Sequence, residues 1–259
     1  MNLEKIFFDL KKKEEAALII YYPFGFPSIE SSVENITIIS ESGADIIEVG
    51  VPFSDPIADG PVIQEASYVA LQNGATLERL FSEIERVQIA TPLILMSYLN
   101  PLYSFGMKRV IKNMKRTKFS GLIIPDLPVE ESDGWIKISG RSKIDLIFLL
   151  SPVSGQERIK MCAESCSGFI YCVSVTGTTG VRERLSPEIE KFIKSVKSVT
   201  SKPVAVGFGI SECSQVVILS SIADGVIIGS RVIESVMKKE SLGDVIREFK
   251  RSTRRGKGR

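Results

Sequence analysis

Eight short apolar runs, separated by polar stretches of helical character, constrain the fold of this 259-residue chain more than any other feature. The runs are Leu18–Tyr21, Asp45–Val51, Leu93–Leu99, Leu122–Pro125, Asp145–Leu150, Phe169–Val175, Val204–Gly207 and Val226–Ile228. Each is nearly continuous in apolar character, which is typical of parallel strands covered on both faces. Eight such strands alternating with helices predict an α/β fold, a (β/α)₈ TIM barrel, whereas a doubly wound open sheet, the alternative, usually has fewer strands.

We expect one domain over residues 1–259, because no linker or low-complexity segment interrupts the runs. The first residues, MNLEKIFFDLKKKEEA, have the pattern of an amphipathic N-terminal helix and differ from a signal peptide, so a cytoplasmic protein is expected. Six Lys and Arg residues crowd into the last ten positions. We expect about residues 251–259 to form a basic, disordered tail.

Histidine is absent from the sequence. Reactions that need imidazole are therefore excluded, among them Ser-His-Asp hydrolysis and proteases whose zinc is held by two histidines. Carboxylates, tyrosine, lysine, cysteine and backbone amides remain to do chemistry. The four cysteines, Cys162, Cys166, Cys172 and Cys213, form no CxxC pair, so we expect no metal site and interpret them as reduced, buried apolar residues.

Two carboxylates in contrasting surroundings lie within the run IIEVGVPFSDPIADGP, residues 46–61. Glu48 has apolar neighbours in a predicted strand, and such surroundings raise the pKa of a carboxyl group towards neutrality. Asp59 precedes Pro61, a residue suited to the first turn of a helix. The pair is a candidate for acid-base chemistry. For each residue alone the simpler interpretation is structural: a salt-bridged strand glutamate and a helix-capping aspartate.

Three glycine-containing turns follow the last three apolar runs, and they predict a phosphate site. They are residues 176–180 (TGTTG), 207–209 (GFG) and 229–230 (GS). Glycine lets backbone N–H groups approach an anion, and barrels of this class often hold phosphate after their last strands. Asp126 and Tyr171 could also point into such a site, although Asp126 could equally cap a helix and Tyr171 could be ordinary core.

These motifs are similar to those of the tryptophan synthase alpha chain family, and the resemblance extends over positions 1 to about 250. It rests on EVGVPFSDPIADGPVIQ, MSYLNPLYSFG, IIPDLPVEE, YCVSVTGTTG, VAVGFGIS and ADGVIIGS, in family order and at family-like spacing. The resemblance implies a carbon–carbon lyase of tryptophan biosynthesis that cleaves indole-3-glycerol phosphate by a retro-aldol step to indole and glyceraldehyde 3-phosphate.

The resemblance also implies a partner, a tryptophan synthase beta chain in an α2β2 assembly, which receives the indole. Pyridoxal phosphate is expected on that partner and no cofactor on this chain. Neither a nucleic acid nor a membrane partner is expected. Two alternatives remain open: a regulatory binding subunit with marginal activity of its own, and a phosphosugar isomerase on the same fold.

Carried over by position, the family's catalytic residues fall on Glu48 and Asp59. Glu48 is then the general acid and base at indole C3 and the side-chain hydroxyl, and Asp59 holds the indole N–H and stabilises its positive charge. The implied substrate-binding residues are Tyr21, Ile63, Met96, Tyr171, Thr179 and Phe208. The implied phosphate contacts are Gly180, Gly209, Gly229 and Ser230. The implied partner-interface residues are Pro52, Asp55, Asn100, Pro101 and Leu102.

Two segments after strands carry further expectations. The range Thr176–Leu185 is expected to be a mobile lid that brings Thr179 over Asp59 when ligand binds. The turn Tyr22-Pro23-Phe24-Gly25-Phe26-Pro27 departs from the family pattern, which has Thr and then Gly-Asp-Pro there. The missing hydroxyl and carboxylate put any hydrogen bond from that turn in doubt.

Overall fold

A computed structural model describes residues 2–173, 187–207 and 209–255, and in these residues nine parallel strands form one sheet that closes on itself. The strands are β1 Ala17–Pro23, β2 Ile46–Gly50, β3 Leu93–Met96, β4 Phe119–Ile123, β5 Asp145–Ile147, β6 Leu149–Leu150, β7 Ile170–Val173, β8 Val204–Gly207 and β9 Gly225–Ile228. Their order in the sheet is β5-β4-β3-β2-β1-β9-β8-β7-β6. Only Phe148 separates β5 from β6, so these two pieces are the fifth strand of an eight-stranded barrel, and the predicted (β/α)₈ fold is confirmed.

Helices surround the barrel and follow its strands. They are α1 Leu3–Lys12, α2 Ile29–Glu41, α3 Pro61–Gln72, α4 Leu77–Glu85, α5 Leu99–Phe105, α6 Met107–Arg116, α7 Asp133–Ser142, α8 Gln156–Ser165, α9 Pro187–Val199, α10 Cys213–Ile222, α11 Ser230–Met237 and α12 Leu242–Ser252, with a 3₁₀ turn at Val129–Glu131. Ser28 caps α2, because its Oγ accepts a hydrogen bond from the Ser31 N–H at 3.1 Å. No helix in the described ranges is long and apolar enough to cross a bilayer.

The N-terminal helix α1 closes one end of the barrel. Its buried face carries Leu3, Phe7 and Leu10, which join the apolar side chains of the barrel interior. The rings of Phe7 and Phe169 lie 5.4 Å apart, centroid to centroid. A larger cluster fills the space between the strands and the outer helices. The N-terminal ends of the strands therefore meet a dry apolar plug, and polar chemistry is confined to the opposite end.

Basic residues near the C-terminus are ordered against the N-terminal ends of the strands. Lys250 Nζ contacts both oxygens of Asp45, at 3.0 and 2.8 Å. Arg255 donates from Nε to the Ser220 carbonyl at 2.8 Å and from Nη2 to the Ala223 carbonyl at 2.8 Å. The expectation of a disordered tail from about 251 is therefore wrong for residues 251–255. The positive charges of Lys250 and Arg255 thus pair with the partly buried Asp45 carboxylate and with two backbone carbonyls.

The unusual turn after β1 is held by contacts of its own. The Tyr22 hydroxyl donates to the Phe26 carbonyl at 2.9 Å and accepts from Asn35 Nδ2 at 2.7 Å. Asn73 Nδ2 donates to the carbonyls of Gly25 and Pro27, at 3.0 and 2.7 Å. Gly25 has a φ of +92°, and a Cβ there would lie 2.6 Å from the Ala75 Cβ. The turn is thus shaped without the threonine and carboxylate of the family pattern.

Candidate active site

Glu48 is a buried carboxyl group without a protein partner. It lies in β2 beside Tyr21 of β1 and Ile94 of β3, on the face that Ile46 turns into the barrel interior. Its side chain is 0% exposed, and neither carboxylate oxygen has a hydrogen-bond partner within the described residues. The structural interpretation of Glu48 as a salt-bridged strand residue is therefore excluded for this part of the chain. Burial, and secondly the charge of Asp59, raises the pKa of Glu48 to about 8.

Asp59 lies in the loop between β2 and α3, and its carboxylate faces Tyr98. The Tyr98 hydroxyl donates to Asp59 Oδ2 at 3.1 Å. Helix α3 has Gly60 at its N-cap and no side-chain cap, so Asp59 is not the helix-capping residue of the structural alternative. Burial raises the pKa of Asp59 to about 6, although the hydrogen bond from Tyr98 opposes this shift. At neutral pH the two carboxyl groups thus favour opposite protonation states.

Tyr98 is the site residue that sequence reasoning missed. It follows β3 and is 4% exposed, and its ring lies 5.2 Å from the Phe53 ring. Its hydroxyl also accepts the Ala58 N–H at 2.9 Å, so one hydroxyl holds both the backbone and the side chain of the Asp59 loop. The signal was present in MSYLNPLYSFG, because a tyrosine follows directly after a strand end that faces the site.

Two predicted substrate-binding tyrosines, Tyr21 and Tyr171, are brought together with the carboxylates. Burial and then the negative charges of Asp59 and Glu48 raise the pKa of Tyr21 well above its ordinary value. The pKa of Tyr171 is raised by burial, then by Glu48 and Asp59, although Tyr171 lies on β7 across the barrel. Both hydroxyls therefore remain protonated at neutral pH and can act only as neutral donors or acceptors.

Glycines make room for these tyrosine rings. A Cβ on Gly50 would lie 2.3 Å from Tyr21 Oη, and a Cβ on Gly207 would lie 2.9 Å from Tyr171 Oη. Gly229 borders the other end of the Tyr21 ring, with its ideal Cβ position 3.2 Å from Tyr21 Cδ1. The tyrosines fit because the neighbouring strand ends carry no side chains.

The remaining apolar candidates border the two clusters. Met96 ends β3, pairs with Gly50 in the sheet and is partly exposed between the interior and the outer cluster. Ile63 lies in the first turn of α3 and packs against the outer cluster. Asp126 has a structural role, because its Oδ1 accepts a hydrogen bond from the N–H of Leu99, the first residue of α5, at 2.9 Å. It caps the helix that precedes it in the chain.

The described part of the predicted phosphate site contains the start of α11 and one loop glycine. Gly229 is the N-cap of α11 and Ser230 its first residue, so the first N–H groups of this helix point towards the end of β9. Gly209 has a φ of +60°, a conformation that favours glycine, and nothing lies within 4 Å of its ideal Cβ position. Gly180, Thr179, Phe208 and the predicted lid Thr176–Leu185 lie outside the described residues.

Five positions were predicted to contact a partner, and burial separates them. Asp55 and Asn100 are exposed, and Pro101 is partly exposed. Pro52 is buried, and Leu102 is 0% exposed and belongs to the outer apolar cluster. The side chain of Leu102 is thus a core residue, which corrects its prediction as a surface contact. Ile57, on the same loop as Asp55, is 83% exposed.

Comparison with known proteins agrees with this geometry. The family model described as tryptophan synthase alpha chain matches residues 7–256. The tryptophan synthase alpha chain of Carboxydothermus hydrogenoformans is 43% identical over 238 residues, 91% of this chain and 89% of that protein. The protein of the same name from Methanocaldococcus jannaschii is 40% identical and aligns with 92% of this chain and 85% of its own length.

Solved structures give the same result at the level of the fold. A chain of tryptophan synthase from Mycobacterium tuberculosis superposes with a TM-score of 0.92 at 35% identity, covering 98% of both chains. The tryptophan synthase alpha subunit of Legionella pneumophila superposes with a TM-score of 0.88 at 30% identity, again covering 98% of both chains.

Proposed function

This chain belongs to the tryptophan synthase alpha chain family and is a carbon–carbon lyase, and we propose that Glu48 and Asp59 carry its reaction, the cleavage of indole-3-glycerol phosphate to indole and glyceraldehyde 3-phosphate. The single observation that supports these roles most is the contrast between the two carboxyl groups. Glu48, with a pKa raised to about 8, is mostly protonated at pH 7, whereas Asp59, with a pKa of about 6, is mostly ionised. The site thus holds one acid and one anion.

The reaction needs both a protonated and an ionised carboxyl group. Glu48 gives its proton to indole C3, and the ring becomes an indolenine with positive charge at nitrogen. Asp59 accepts the hydrogen bond of the ring N–H and stabilises that charge, which is a direct use of a carboxylate. Tyr98 fixes the position of Asp59 through its 3.1 Å hydrogen bond.

Carbon–carbon cleavage then returns a proton to Glu48. Glu48, now a carboxylate, takes the proton of the hydroxyl on the carbon attached to C3. The O–H electron pair forms the carbonyl of glyceraldehyde 3-phosphate, and the electrons of the broken carbon–carbon bond neutralise the indolenine nitrogen. Glu48 ends protonated, as it began, so the cycle needs no other acid or base. The absence of a cation beside Glu48 in the described residues favours this role, because a bound cation would hold the carboxyl group ionised.

The phosphate end of the substrate is proposed to lie against the start of α11, at Gly229 and Ser230, with Gly209 and Gly180 contributing backbone N–H groups. A helix N-terminus carries partial positive charge and free N–H donors, which suit a phosphate dianion. The Tyr21 ring borders Gly229 on one side and Gly50 on the other. A glycerol chain that runs past this ring would join the phosphate site to the carboxylates.

The activity is tested by incubating the purified protein with indole-3-glycerol phosphate and measuring the release of indole, with and without a beta chain. Cleavage that depends on Glu48 and Asp59 supports the proposal. A wild-type protein that releases no indole under either condition contradicts it.

We also propose a beta chain as partner, in an α2β2 assembly in which pyridoxal phosphate resides on the beta chain. The exposed residues of the β2 and β3 loops support this proposal, since Asp55, Asn100 and the apolar Ile57 are exposed and Pro101 is partly exposed. Ile57 is 83% exposed, so it is available to pack against a partner. Co-elution of the two chains in size-exclusion chromatography, weakened by Ile57→Glu, is the expected result. No co-elution with or without ligand contradicts the assembly.

A further inference from the structure

The Tyr21 side chain is buried, and its hydroxyl makes no hydrogen bond within the described part of the chain. Tyr21 is 7% exposed and lies beside Glu48 in the register of β1 and β2. Its ring crosses Gly50, so that Oη lies 2.3 Å from the position a Cβ would take there. Gly50 follows Glu48 by two residues and turns to the same face of the strand. The phenol end therefore points to the place where Glu48 acts.

The two nearest carboxylates do not use this donor. Neither oxygen of Glu48 has a hydrogen-bond partner among the described residues, and the Asp59 oxygen Oδ2 receives its hydrogen bond from Tyr98. The Tyr21 hydroxyl and the Glu48 carboxyl thus belong to paired positions of neighbouring strands without being bonded to each other. Buried polar groups in folded proteins are normally paired, so we expect a bound molecule to supply the partner that the Glu48 carboxyl lacks, beside the Tyr21 hydroxyl.

The contacts of the ring show where along the substrate Tyr21 would act. One edge of the ring lies against Gly229 at the start of α11, and its hydroxyl end lies against Gly50 near Glu48. The ring therefore runs alongside the path between the phosphate and the carboxylates. The substrate group at its hydroxyl end is the carbon attached to the indole, whose hydroxyl has one proton to give and two lone pairs to accept with.

We propose that Tyr21 donates a hydrogen bond to the substrate hydroxyl that Glu48 deprotonates, and so stabilises the charge that develops on its oxygen during cleavage. This inference rests on the proposed function. Tyr21 exchanges no atom or electron with the substrate: the hydroxyl proton goes to Glu48, and the phenol O–H remains intact. Because negative charge develops on that oxygen as its proton moves to Glu48, the hydrogen bond is stronger in the transition state than in the bound substrate.

The test compares Tyr21→Phe with the matched control Tyr22→Phe. Tyr22 is the next residue, turns to the outer side of β1 and spends its hydroxyl on Phe26 and Asn35, away from the carboxylates. We expect Tyr21→Phe to lower kcat for indole-3-glycerol phosphate on the order of 10²-fold, the usual effect of removing one donor to a developing oxyanion. Its Tm should equal or exceed that of the wild type, because the hydroxyl has no protein partner to lose. Tyr22→Phe should instead lower Tm and keep kcat.

A second ligand separates the proposed hydrogen bond from general loss of fit. Indole-3-propanol phosphate has the ring and phosphate of the substrate but lacks its glycerol hydroxyls, so Tyr21→Phe should bind it with a Kd within about twofold of the wild-type value. The inference is overturned if Tyr21→Phe keeps more than half of the wild-type kcat, or if it loses the analogue as strongly as it loses turnover. A wild-type protein without lyase activity would refute the proposed function itself, and this inference with it.

Discussion

Asp45, just before β2, and Glu48, in the middle of β2, lie three residues apart and have opposite surroundings. Asp45, just before β2, accepts hydrogen bonds from the Leu18 N–H at 2.7 Å and from Lys250 at 2.8 Å. Glu48 is more deeply buried and has no partner in the described ranges. The same residue chemistry is thus neutralised at the N-terminal end of the barrel and left unsatisfied at the C-terminal end.

The contrast extends to the neighbouring strands. Asp224, before β9, accepts from the Val204 N–H at 3.0 Å and from Lys197 at 3.0 Å, and Arg255 lies 3.8 Å away. Asp59, after β2, has a tyrosine hydroxyl and no cation within the described residues. In barrels of this class the N-terminal end serves stability and the C-terminal end serves catalysis. The pairing state of a buried carboxylate therefore distinguishes the two roles better than its burial does.

The largest expected effect comes from removing the unpaired carboxyl group. Glu48→Gln should lower the rate of indole release on the order of 10²- to 10⁴-fold, because the glutamine cannot transfer a proton. Asp59→Asn should have a loss of the same order. Circular dichroism and thermal melting should show no loss of stability for Glu48→Gln, since no protein hydrogen bond is broken. A kcat above half of the wild-type value in Glu48→Gln would show that Glu48 is not the acid and base.

The pH dependence of kcat/KM should reflect both carboxyl groups. Activity is expected to fall below about pH 6, where Asp59 is protonated and loses the charge that stabilises the indolenine. It is also expected to fall above about pH 8, where Glu48 has lost the proton that it must give to C3. A bell-shaped profile between these limits is measured on the free enzyme at low substrate concentration. A rate that is flat from pH 5 to pH 9 would contradict both assignments.

The same pKa values make a stability prediction of definite sign. The pKa of Glu48 is raised from about 4.5 to about 8 on folding, so the folded state holds the proton more tightly than the unfolded state. Stability contributed by protonated Glu48 is complete below about pH 4.5 and is lost as pH rises towards 8. Glutamine does not ionise, so Glu48→Gln removes this loss of stability at rising pH. The Tm of the variant should therefore gain on that of the wild type between pH 5 and pH 8, and a constant difference would disprove the raised pKa.

A smaller effect on activity is expected from the glycine beneath Tyr21. Gly50→Ala places a methyl group 2.3 Å from Tyr21 Oη and 2.6 Å from its Cζ, so the ring must move. We expect roughly a tenfold loss in kcat/KM, since displacement of a positioned donor costs part of its effect. Gly140→Ala is the matched control, because its ideal Cβ position has no neighbour within 4 Å and it lies in helix α7. It should keep full activity and gain up to about 1 kcal/mol of stability.

Sequence reasoning predicted the barrel because strand and helix periods are local properties. Each of the eight apolar runs contains all or part of a strand. Glu48 and Asp59 could be selected because their neighbours, apolar residues and a proline-rich loop, are also local. Their surroundings could not be predicted. Whether a cation lies beside Glu48 depends on every element packed around the barrel. The sequence alone therefore could not decide whether Glu48 forms a salt bridge.

Residues whose roles depend on distant contacts were missed for the same reason. Tyr98 lies 39 residues from Asp59 in the sequence, and only the closure of β2 against β3 brings the two together. Leu102 was expected at the partner interface from the family resemblance, but helix α5 turns its side chain into the core. Arg255 was assigned to a disordered tail because of its basic composition. In the structure its guanidinium donates hydrogen bonds to the carbonyls of Ser220 and Ala223.

The smallest effect on activity, and the clearest effect on stability, is expected at the paired end of the strand. Asp45→Asn keeps the size of the side chain and removes the charge that faces Lys250 Nζ. Lys250 keeps a second partner, Glu15 Oε2 at 3.1 Å. We therefore expect Asp45→Asn to lower the free energy of unfolding by about 2 kcal/mol, which is less than the cost of breaking a fully buried pair. Thermal or urea unfolding measures this loss. Indole release should stay within about twofold of the wild-type rate, since the hydrogen bonds of Asp45 go to Leu18 and Lys250 and not to the carboxylates that act on substrate. If Asp45→Asn instead lowers turnover as much as Glu48→Gln does while stability is unchanged, the division between a stabilising and a catalytic end of this strand is wrong.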